Sequence, residues 1–318
     1  MKTILSLLLA VTIVVVSVFT VDAQGGVPNM FRKASDFDGD GRADFAITRN
    51  ESGRKIWYVW QSSAGFKAFH WGISTDVNAA GDYNGDGKTD FAVFRDSTSF
   101  PAVYTFHILE SGSNTYVQKT FSAFANFGAY PVHQDYNGDG RVDAALNYGE
   151  FGFATQFVVQ YSGIGGGIGS FIPARGLPLR MGDLDGDGRA DRTHYNLDTY
   201  LLSATNLETN TTRNFQFGSS GDRYLMADID GDGIGDLTVF RPSNGVWWWV
   251  RSSDGQPGAT RWGTSGDIPV PADYDRDGKT DLAVWRPGTT QSAFWVLGSQ
   301  SGPFVFQWGI STDQPVTY

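Results

Sequence analysis

The sequence predicts an all-β protein, a β-propeller of about six four-stranded blades. Three observations support this prediction. A nine-residue acidic motif recurs six times at a nearly constant spacing, each copy is followed by several short strand patterns, and no segment shows helical periodicity. A period of about 45 residues in four strands is the size of one propeller blade.

The acidic motif has the form D-x-[D/N]-x-D-G-x-x-D, and its residues are numbered here as positions 1 to 9. It starts at residues 36, 82, 135, 183, 228 and 273, which gives steps of 46, 53, 48, 45 and 45 residues. We name the six copies loop 1 (36–44), loop 2 (82–90), loop 3 (135–143), loop 4 (183–191), loop 5 (228–236) and loop 6 (273–281). A regular period of this length is typical of repeat architectures.

Strand patterns follow the loops. A short alternating segment such as Leu237–Arg241 comes first, and an aromatic segment such as Val246–Val250 comes next. A further segment ends in Trp-Gly, as at Trp262-Gly263, and the middle periods keep this organisation with fewer tryptophans. Alternating β-branched and aromatic residues indicate strands. A solenoid of stacked coils is the alternative, although its coils are usually shorter.

The two ends of the repeat region complement each other. Residues 311–316 repeat the kind of segment that elsewhere leads into a loop, and the repeat region begins shortly before loop 1. Pairing of the tail with the first blade would close the ring and remove exposed sheet edges. The recurring tryptophans are expected to pack between blades, with Trp248 turned to the opposite face from its two neighbours.

The loops concentrate negative charge. Loops 1, 4, 5 and 6 hold four aspartates each and loops 2 and 3 hold three, so the loops contain 22 of the 34 acidic residues. Ca²⁺ takes six to eight oxygen ligands, which positions 1, 3, 5 and 9 supply through side chains and position 7 through its carbonyl. The glycine at position 6 permits a sharp turn, whereas the tight octahedral preference of Mg²⁺ fits the pattern less well.

The sequence therefore predicts up to six Ca²⁺ sites. The predicted ligands are Asp36, Asp38, Asp40, Arg42 and Asp44 in loop 1; Asp82, Asn84, Asp86, Lys88 and Asp90 in loop 2; Asp135, Asn137, Asp139, Arg141 and Asp143 in loop 3; Asp183, Asp185, Asp187, Arg189 and Asp191 in loop 4; Asp228, Asp230, Asp232, Ile234 and Asp236 in loop 5; and Asp273, Asp275, Asp277, Lys279 and Asp281 in loop 6. Loops 2 and 3 carry one charge fewer, so weaker binding is expected there.

Two other acidic motifs do not fit the loops. An EF-hand would require a bidentate Glu at position 12 and flanking helices, whereas these positions hold Ile47, Val93, Leu146, His194, Val239 and Val284. The calcium-binding nonapeptides of β-rolls run in tandem rather than once per blade. Acidic turns held only by Asx hydrogen bonds remain as the alternative to metal sites.

The loops, together with the Val-Phe-Arg-Pro segment at 239–242 and the Trp-Gly pairs, resemble the FG-GAP/VCBS repeat family over about residues 30–318. This family includes bacterial exported proteins and the β-propeller of integrin α subunits. The resemblance implies a calcium-binding propeller with each cation in the hairpin between the first and second strands of a blade. The family most often has seven blades, so the six periods leave six or seven blades open.

Composition and the first residues indicate an exported protein. The net charge of −10 and the pI of about 4.8 argue against a nucleic-acid partner, and the absence of cysteine excludes disulfides and thiolate metal sites. Lys2 followed by the apolar run 4–19 predicts a signal peptide over residues 1–23 and a single propeller domain over 24–318. The run is too short to span a bilayer, so a secreted, cell-surface or periplasmic protein is expected, with an uncleaved anchor as the alternative.

The sequence marks no catalytic constellation. The four histidines form no zinc motif, and no pair of acids outside the loops stands out as an acid–base dyad, so no catalytic residue and no further cofactor is predicted. Asp76, Asp222, Asp267 and Asp313 occupy one repeat position and are expected to act in turns. The predicted function is an extracellular binding or scaffold module for a protein or carbohydrate, with structural Ca²⁺. A lectin that uses its aromatics to stack on sugars, or a polysaccharide-active enzyme, is the alternative.

Overall fold

The described part of the chain folds entirely as strands and turns. The computed structural model describes residues 31, 35–97, 100–123, 128–149, 155–163, 168–174, 176–196 and 199–317. These residues contain 24 strands arranged as six four-stranded antiparallel sheets. The predicted signal peptide (1–23) and the domain boundary at residue 24 lie outside the described residues. None of the described segments forms a helix long and apolar enough to cross a bilayer.

Each sheet is one blade of a six-bladed β-propeller, which confirms the predicted fold and resolves the blade number. Blade 1 contains β24 (Gln314–Pro315), β1 (Phe45–Glu51), β2 (Arg54–Gln61) and β3 (Gly65–Ile73). Blade 2 contains β4 (Val77–Asn78), β5 (Phe91–Asp96), β6 (Ala102–Leu109) and β7 (Tyr116–Ala123). Blade 3 contains β8 (Ala129–Pro131), β9 (Ala144–Tyr148), β10 (Thr155–Gln160) and β11 (Ile168–Ala174).

The other three blades repeat this order. Blade 4 contains β12 (Leu177–Leu179), β13 (Arg192–Asn196), β14 (Leu201–Thr205) and β15 (Thr212–Gln216). Blade 5 contains β16 (Arg223–Leu225), β17 (Leu237–Arg241), β18 (Val246–Val250) and β19 (Pro257–Arg261). Blade 6 contains β20 (Ile268–Pro269), β21 (Leu282–Arg286), β22 (Ala293–Gly298) and β23 (Gly302–Gln307).

The C-terminal strand closes the ring, as the sequence predicts. β24 pairs antiparallel with β1, so that Pro315 lies opposite Ile47 and Gln314 opposite Thr48. The backbone N–H of Val316 extends this pairing by donating to the carbonyl of Ala46 at 2.9 Å. The last residues of the chain therefore complete the first blade, which has no other first strand among the described residues.

The hydrophobic core is divided among the interfaces between blades. Six buried clusters each join two successive blades, and the cluster between blades 6 and 1 includes Trp285 and Ile47. Trp57, Trp247 and Trp285 are at most 1% exposed, which confirms their expected packing role. Trp248 is 41% exposed, as alternation predicts. Trp60 is also one of the recurring tryptophans expected to pack between blades, but it is 40% exposed, and its ring contacts aromatic residues of blade 6 that are themselves only partly buried, Phe306 and Trp308.

The Trp-Gly segments link neighbouring blades through indole hydrogen bonds. Trp71 of blade 1 donates to the carbonyl of His107 in blade 2 at 3.1 Å. Trp262 of blade 5 donates to the carbonyl of Trp295 in blade 6 at 3.0 Å. These indoles therefore satisfy their donor while they cover the outer side of an interface.

Four blades contain an arginine–aspartate pair at the turn that leads into the blade's first strand. The side chain of Asp267 accepts two hydrogen bonds from Arg286, both at 2.8 Å, and one from the backbone N–H of Thr264. The equivalent pairs are Arg49–Asp313, Arg95–Asp76 and Arg241–Asp222. The expected turn role of these aspartates is confirmed, and the paired arginine adds a link between the turn and the second strand of the blade.

Candidate metal centres

Each acidic loop lies between the first and second strands of its blade. Loop 6, for example, connects β20 to β21, and loop 1 lies between β24 and β1 in the closed sheet. Position 6 is glycine in all six loops and has a φ between +80° and +89°. A side chain is strained in this left-handed region, so glycine is required for the turn.

The position-1 aspartate organises the turn from inside. In every loop its two carboxylate oxygens accept hydrogen bonds from the backbone N–H groups of positions 4 and 6, at 2.6–3.0 Å. These are the Asx bonds that the non-metal alternative would also contain. They use one acceptor site on each oxygen, and an ionised carboxylate has about four such sites in total.

The position-9 aspartate is buried and ties the loop to a second hairpin of the same blade. Its Oδ2 accepts from the backbone N–H of position 2, at 2.6–3.0 Å. In five blades its Oδ1 accepts from a serine N–H in the turn between the third and fourth strands, at 2.6–2.8 Å. These serines are Ser62, Ser111, Ser162, Ser252 and Ser299. The acidic motif of the sequence gives no sign of this contact with the serine turns.

Positions 3 and 5 reach the same serine turn in the loops with four aspartates. In loop 1, Asp38 Oδ2 accepts from the N–H groups of Ser63 and Ala64 at 3.0 Å, and Asp40 accepts from the hydroxyl of Ser62 at 2.6 Å. In loop 4, Asn206 replaces the serine and donates its amide to positions 3 and 5. The second hairpin thus holds these carboxylates together on one side of the loop.

Four loops bring three carboxylates close enough to share one cation. Oxygens from three aspartates lie within 4.8 Å of one another in loops 1, 4, 5 and 6. The groups are Asp36, Asp38 and Asp40; Asp183, Asp185 and Asp191; Asp228, Asp230 and Asp236; and Asp273, Asp275 and Asp281. In loops 2 and 3 the position-3 amide instead donates to the position-5 carboxylate, as Asn84 does to Asp86 at 3.2 Å.

In loops 2 to 6 the position-7 side chain lies against the preceding loop. Lys88 lies against Gly39 of loop 1, where its Cγ would be 3.0 Å from an added Cβ. Arg141, Arg189, Ile234 and Lys279 make the equivalent contact with the preceding loop. The expectation that position 7 would contribute only its backbone carbonyl agrees with this direction of the side chains, and the coordination itself stays a prediction.

Burial makes the ionised form of the position-9 carboxyls unfavourable without a counter-charge. Desolvation raises the pKa of Asp44 and Asp143 to about 8 and that of Asp90, Asp191, Asp236 and Asp281 to about 7, against the lowering effect of backbone hydrogen bonds in each loop. In every loop the neighbouring aspartates raise it further. A cation at the centre of the loop would offset both effects.

Loop 6 tests whether the residues fit such a cation. Asp275 Oδ1 is buried and has no hydrogen-bond partner of normal geometry, and Asp275 belongs to the group formed with Asp273 and Asp281. The other carboxylate oxygens of this loop accept from N–H and O–H groups, as Asp281 does from Ser299 and Tyr274. A buried acceptor without a partner costs about 1–3 kcal/mol, and more when it is charged. An all-oxygen donor set with a free buried acceptor fits a hard divalent cation such as Ca²⁺.

Comparison with known proteins supports the assignment of the repeats. The sequence model of the FG-GAP-like repeat matches residues 36–93 and 228–284, which begin at loop 1 and loop 5 and each continue into the next blade. No curated protein matches the chain at a significant level.

Solved structures resemble the fold at low sequence identity. TolB from Acinetobacter baumannii has 10% identity and a TM-score of 0.55, over 89% of this chain and 68% of that chain. An ACO/RPE65 chimera has 10% identity and a TM-score of 0.52, over 85% and 72%. A variant of the Synechocystis apocarotenoid oxygenase has 10% identity and a TM-score of 0.50, over 85% and 72%. Such likeness concerns the fold alone. The chain is a six-bladed β-propeller, and two regions of it match the FG-GAP-like repeat.

Proposed function

We propose that this protein is an exported binding or scaffold module whose propeller is stabilised by Ca²⁺ in its acidic loops. The observation that carries the calcium assignment is the convergence of Asp273, Asp275 and Asp281, together with the buried Asp275 Oδ1 that lacks a hydrogen-bond partner. Binding free energy at such sites adds to folding free energy because the unfolded chain has no formed site. Outside the cell, even sites with dissociation constants of about 10⁻⁴–10⁻³ M would be filled.

Calcium has a structural role in this proposal. The loop joins the first and second strands, and its carboxylates hold the turn between the third and fourth strands through residues such as Ser62 and Ser299. A cation that neutralises those carboxylates would therefore fix both hairpins of a blade at one end. The protein or carbohydrate partner of the module would then bind to a surface whose conformation the calcium stabilises.

Thermal unfolding with and without a chelator tests the calcium proposal. EGTA should lower the melting temperature, and added Ca²⁺ should restore it at concentrations where Mg²⁺ does not. Asp275→Ala should reduce the stabilisation, whereas Asp254→Ala, which removes an exposed acid outside the loops, should leave it unchanged. Melting curves that do not respond to EGTA would contradict the proposal.

A carbohydrate ligand is the second candidate, because one exposed surface is aromatic. Trp60 and Phe66 of blade 1 are 40% and 56% exposed. Trp308 of blade 6 meets them edge to face, with ring centroids 5.7 and 5.6 Å away. Flat aromatic faces of this kind can pack on the C–H face of a sugar ring.

A glycan array separates this candidate from a protein ligand. The unsubstituted protein would bind a defined set of glycans, and Trp60→Ala would remove that binding. Trp248→Ala is the matched control, since Trp248 is 41% exposed on blade 5, away from this surface. Absence of glycan binding, or binding that survives Trp60→Ala, would contradict the carbohydrate assignment.

A further inference from the structure

The six acidic loops are joined to one another by a closed ring of backbone hydrogen bonds. In every case the N–H of position 8 donates to the carbonyl of position 1 in the preceding loop, at 2.5–2.7 Å. The donor–acceptor pairs are Thr89–Asp36, Val142–Asp82, Ala190–Asp135, Gly235–Asp183, Thr280–Asp228 and Ala43–Asp273. The last pair joins loop 1 to loop 6, so the ring has no free end.

Side chains reinforce the same contacts. In loops 2 to 6 the position-7 side chain packs on the position-4 glycine of the preceding loop, as Arg189 does on Gly138 and Lys279 on Gly231. At the loop 5–loop 6 contact, the hydroxyl of Thr280 also accepts a hydrogen bond from the N–H of Asp228 at 2.9 Å. Adjacent loops therefore share both backbone and side-chain contacts.

The connected residues either carry a predicted ligand or lie next to one in the chain. Position 8 lies between the two ligand-bearing positions 7 and 9, and the acceptor carbonyl belongs to the position-1 aspartate. A hydrogen bond such as Ala190–Asp135 thus connects the ligand-bearing end of loop 4 with the first ligand residue of loop 3. Ordering of one loop fixes the donor or the acceptor that its neighbour needs.

We propose that the six loops bind Ca²⁺ as a coupled ring, in which occupancy of one loop raises the affinity of the loops on either side. The inference rests on the proposed calcium binding and adds the communication between sites. Its physical basis is conformational entropy: a loop whose neighbour is already ordered loses less freedom when it binds. The hydrogen bonds of position 8 are the connection through which this preorganisation passes.

Electrostatics acts in the opposite direction. A cation in one loop makes the potential at the next loop less negative and so weakens binding there. Salt screens the part of this repulsion that passes through solvent, over about 8 Å at physiological ionic strength, whereas the hydrogen bonds between loops do not depend on salt. Positive cooperativity is therefore expected at physiological salt, and it should increase when more salt is added.

Two double variants test the coupling, because they remove the same number of sites from different places. Asp230→Ala with Asp275→Ala removes the adjacent loops 5 and 6, and leaves loops 1 to 4 connected. Asp185→Ala with Asp275→Ala removes loops 4 and 6, and leaves loop 5 between two empty neighbours. Coupling predicts that the ion in the isolated loop 5 of the second variant has a dissociation constant at least about fivefold higher than those of the ions in the first variant.

Isothermal titration with Ca²⁺ alone gives the readout, and tryptophan fluorescence at saturating Ca²⁺ checks that both variants are folded. Equal isotherms for the two double variants would overturn the coupling. A titration of the unsubstituted protein gives a second, independent measurement, for which a Hill coefficient above 1 is expected. A coefficient of 1 would overturn the inference while leaving calcium binding intact, and no binding at all would overturn the calcium proposal itself.

A single backbone group can also be removed. Ala190→Pro deletes the N–H that loop 4 donates to Asp135, whereas Ala190→Val keeps it and introduces the residue that loop 3 has at this position, Val142. The proline variant should show a lower Hill coefficient than the valine variant. Equal coefficients would show that this hydrogen bond does not carry the coupling.

Discussion

Truncation of Trp247 is the strongest test of how the blades are held together. Trp247 is 0% exposed in β18 and packs on Phe240 with ring centroids 5.2 Å apart, in the cluster that includes Val284 of blade 6. Its indole N–H donates to the carbonyl of Trp262 at 2.7 Å. Trp247→Ala would therefore remove a filled volume and a hydrogen bond at the interface between blades 5 and 6.

The expected loss follows from these contacts. Truncation of a buried tryptophan costs about 3–5 kcal/mol, and the loss of the donor to the partly buried carbonyl of Trp262 adds about 1 kcal/mol. A loss of about 4–6 kcal/mol would be a large part of the usual stability of a domain, about 5–15 kcal/mol. Trp248→Ala should cost less than about 1 kcal/mol, because that side chain is 41% exposed and its ring lies beside the Arg241 guanidinium, 5.8 Å from the ring centroid.

Urea denaturation in saturating Ca²⁺, followed by far-UV circular dichroism, measures both losses at equal metal loading. Trp247→Ala should lower the midpoint strongly, Trp247→Phe less, and Trp248→Ala hardly at all. Similar midpoints for the two alanine variants would refute the assignment of Trp247 to the interface core and of Trp248 to the surface.

Three further predictions concern the turns, an ion pair and a histidine. In urea denaturation, Gly231→Ala should lose more stability than Gly53→Ala. Both glycines have φ near +80°, but only at Gly231 would the new Cβ meet a side chain, with Lys279 Cγ at 3.0 Å. Equal losses would contradict the loop-to-loop contact. Asp267→Asn should cost about 1–3 kcal/mol because Arg286 loses a charged partner whose side chain is only 1% exposed, and a loss below about 0.5 kcal/mol would argue that the pair is not structural. Burial, with a smaller contribution from Arg192, lowers the pKa of His194 to about 4, below its value in the unfolded chain. The unfolded state therefore binds more protons between about pH 6.5 and 4, and the free energy of unfolding should fall as the pH drops through this range. The His194→Gln variant should lose less stability over that range, and parallel pH profiles of the two proteins would contradict the assignment.

Sequence patterns predict the fold well where each repeat carries its own signal. The regular spacing of the loops and the alternating segments identify the blades, and the repeated segment at 311–316 predicts that β24 completes blade 1. The exposure of Trp60 was not predicted, because strand alternation assigns it to a face but does not show where the neighbouring blade ends.

The loop chemistry is only partly visible in the sequence. Fixed offsets identify the aspartates that converge, such as Asp273, Asp275 and Asp281. The serines that hold the position-9 carboxylates follow them by 16 to 21 residues, a variable distance, so their role appears only when the hairpins are folded next to the loop. The hydrogen bonds between loops use backbone N–H groups, which any residue except proline supplies, and so leave no residue pattern.

The number of Ca²⁺ ions bound by the purified protein tests the central claim most directly. After treatment with a chelator and dialysis into buffer with millimolar Ca²⁺, metal analysis of the protein should find between four and six ions per chain, with the loops containing Asp38, Asp185, Asp230 and Asp275 filled first. A protein that retains no calcium under these conditions, or one ion that does not change its melting temperature, would contradict the account.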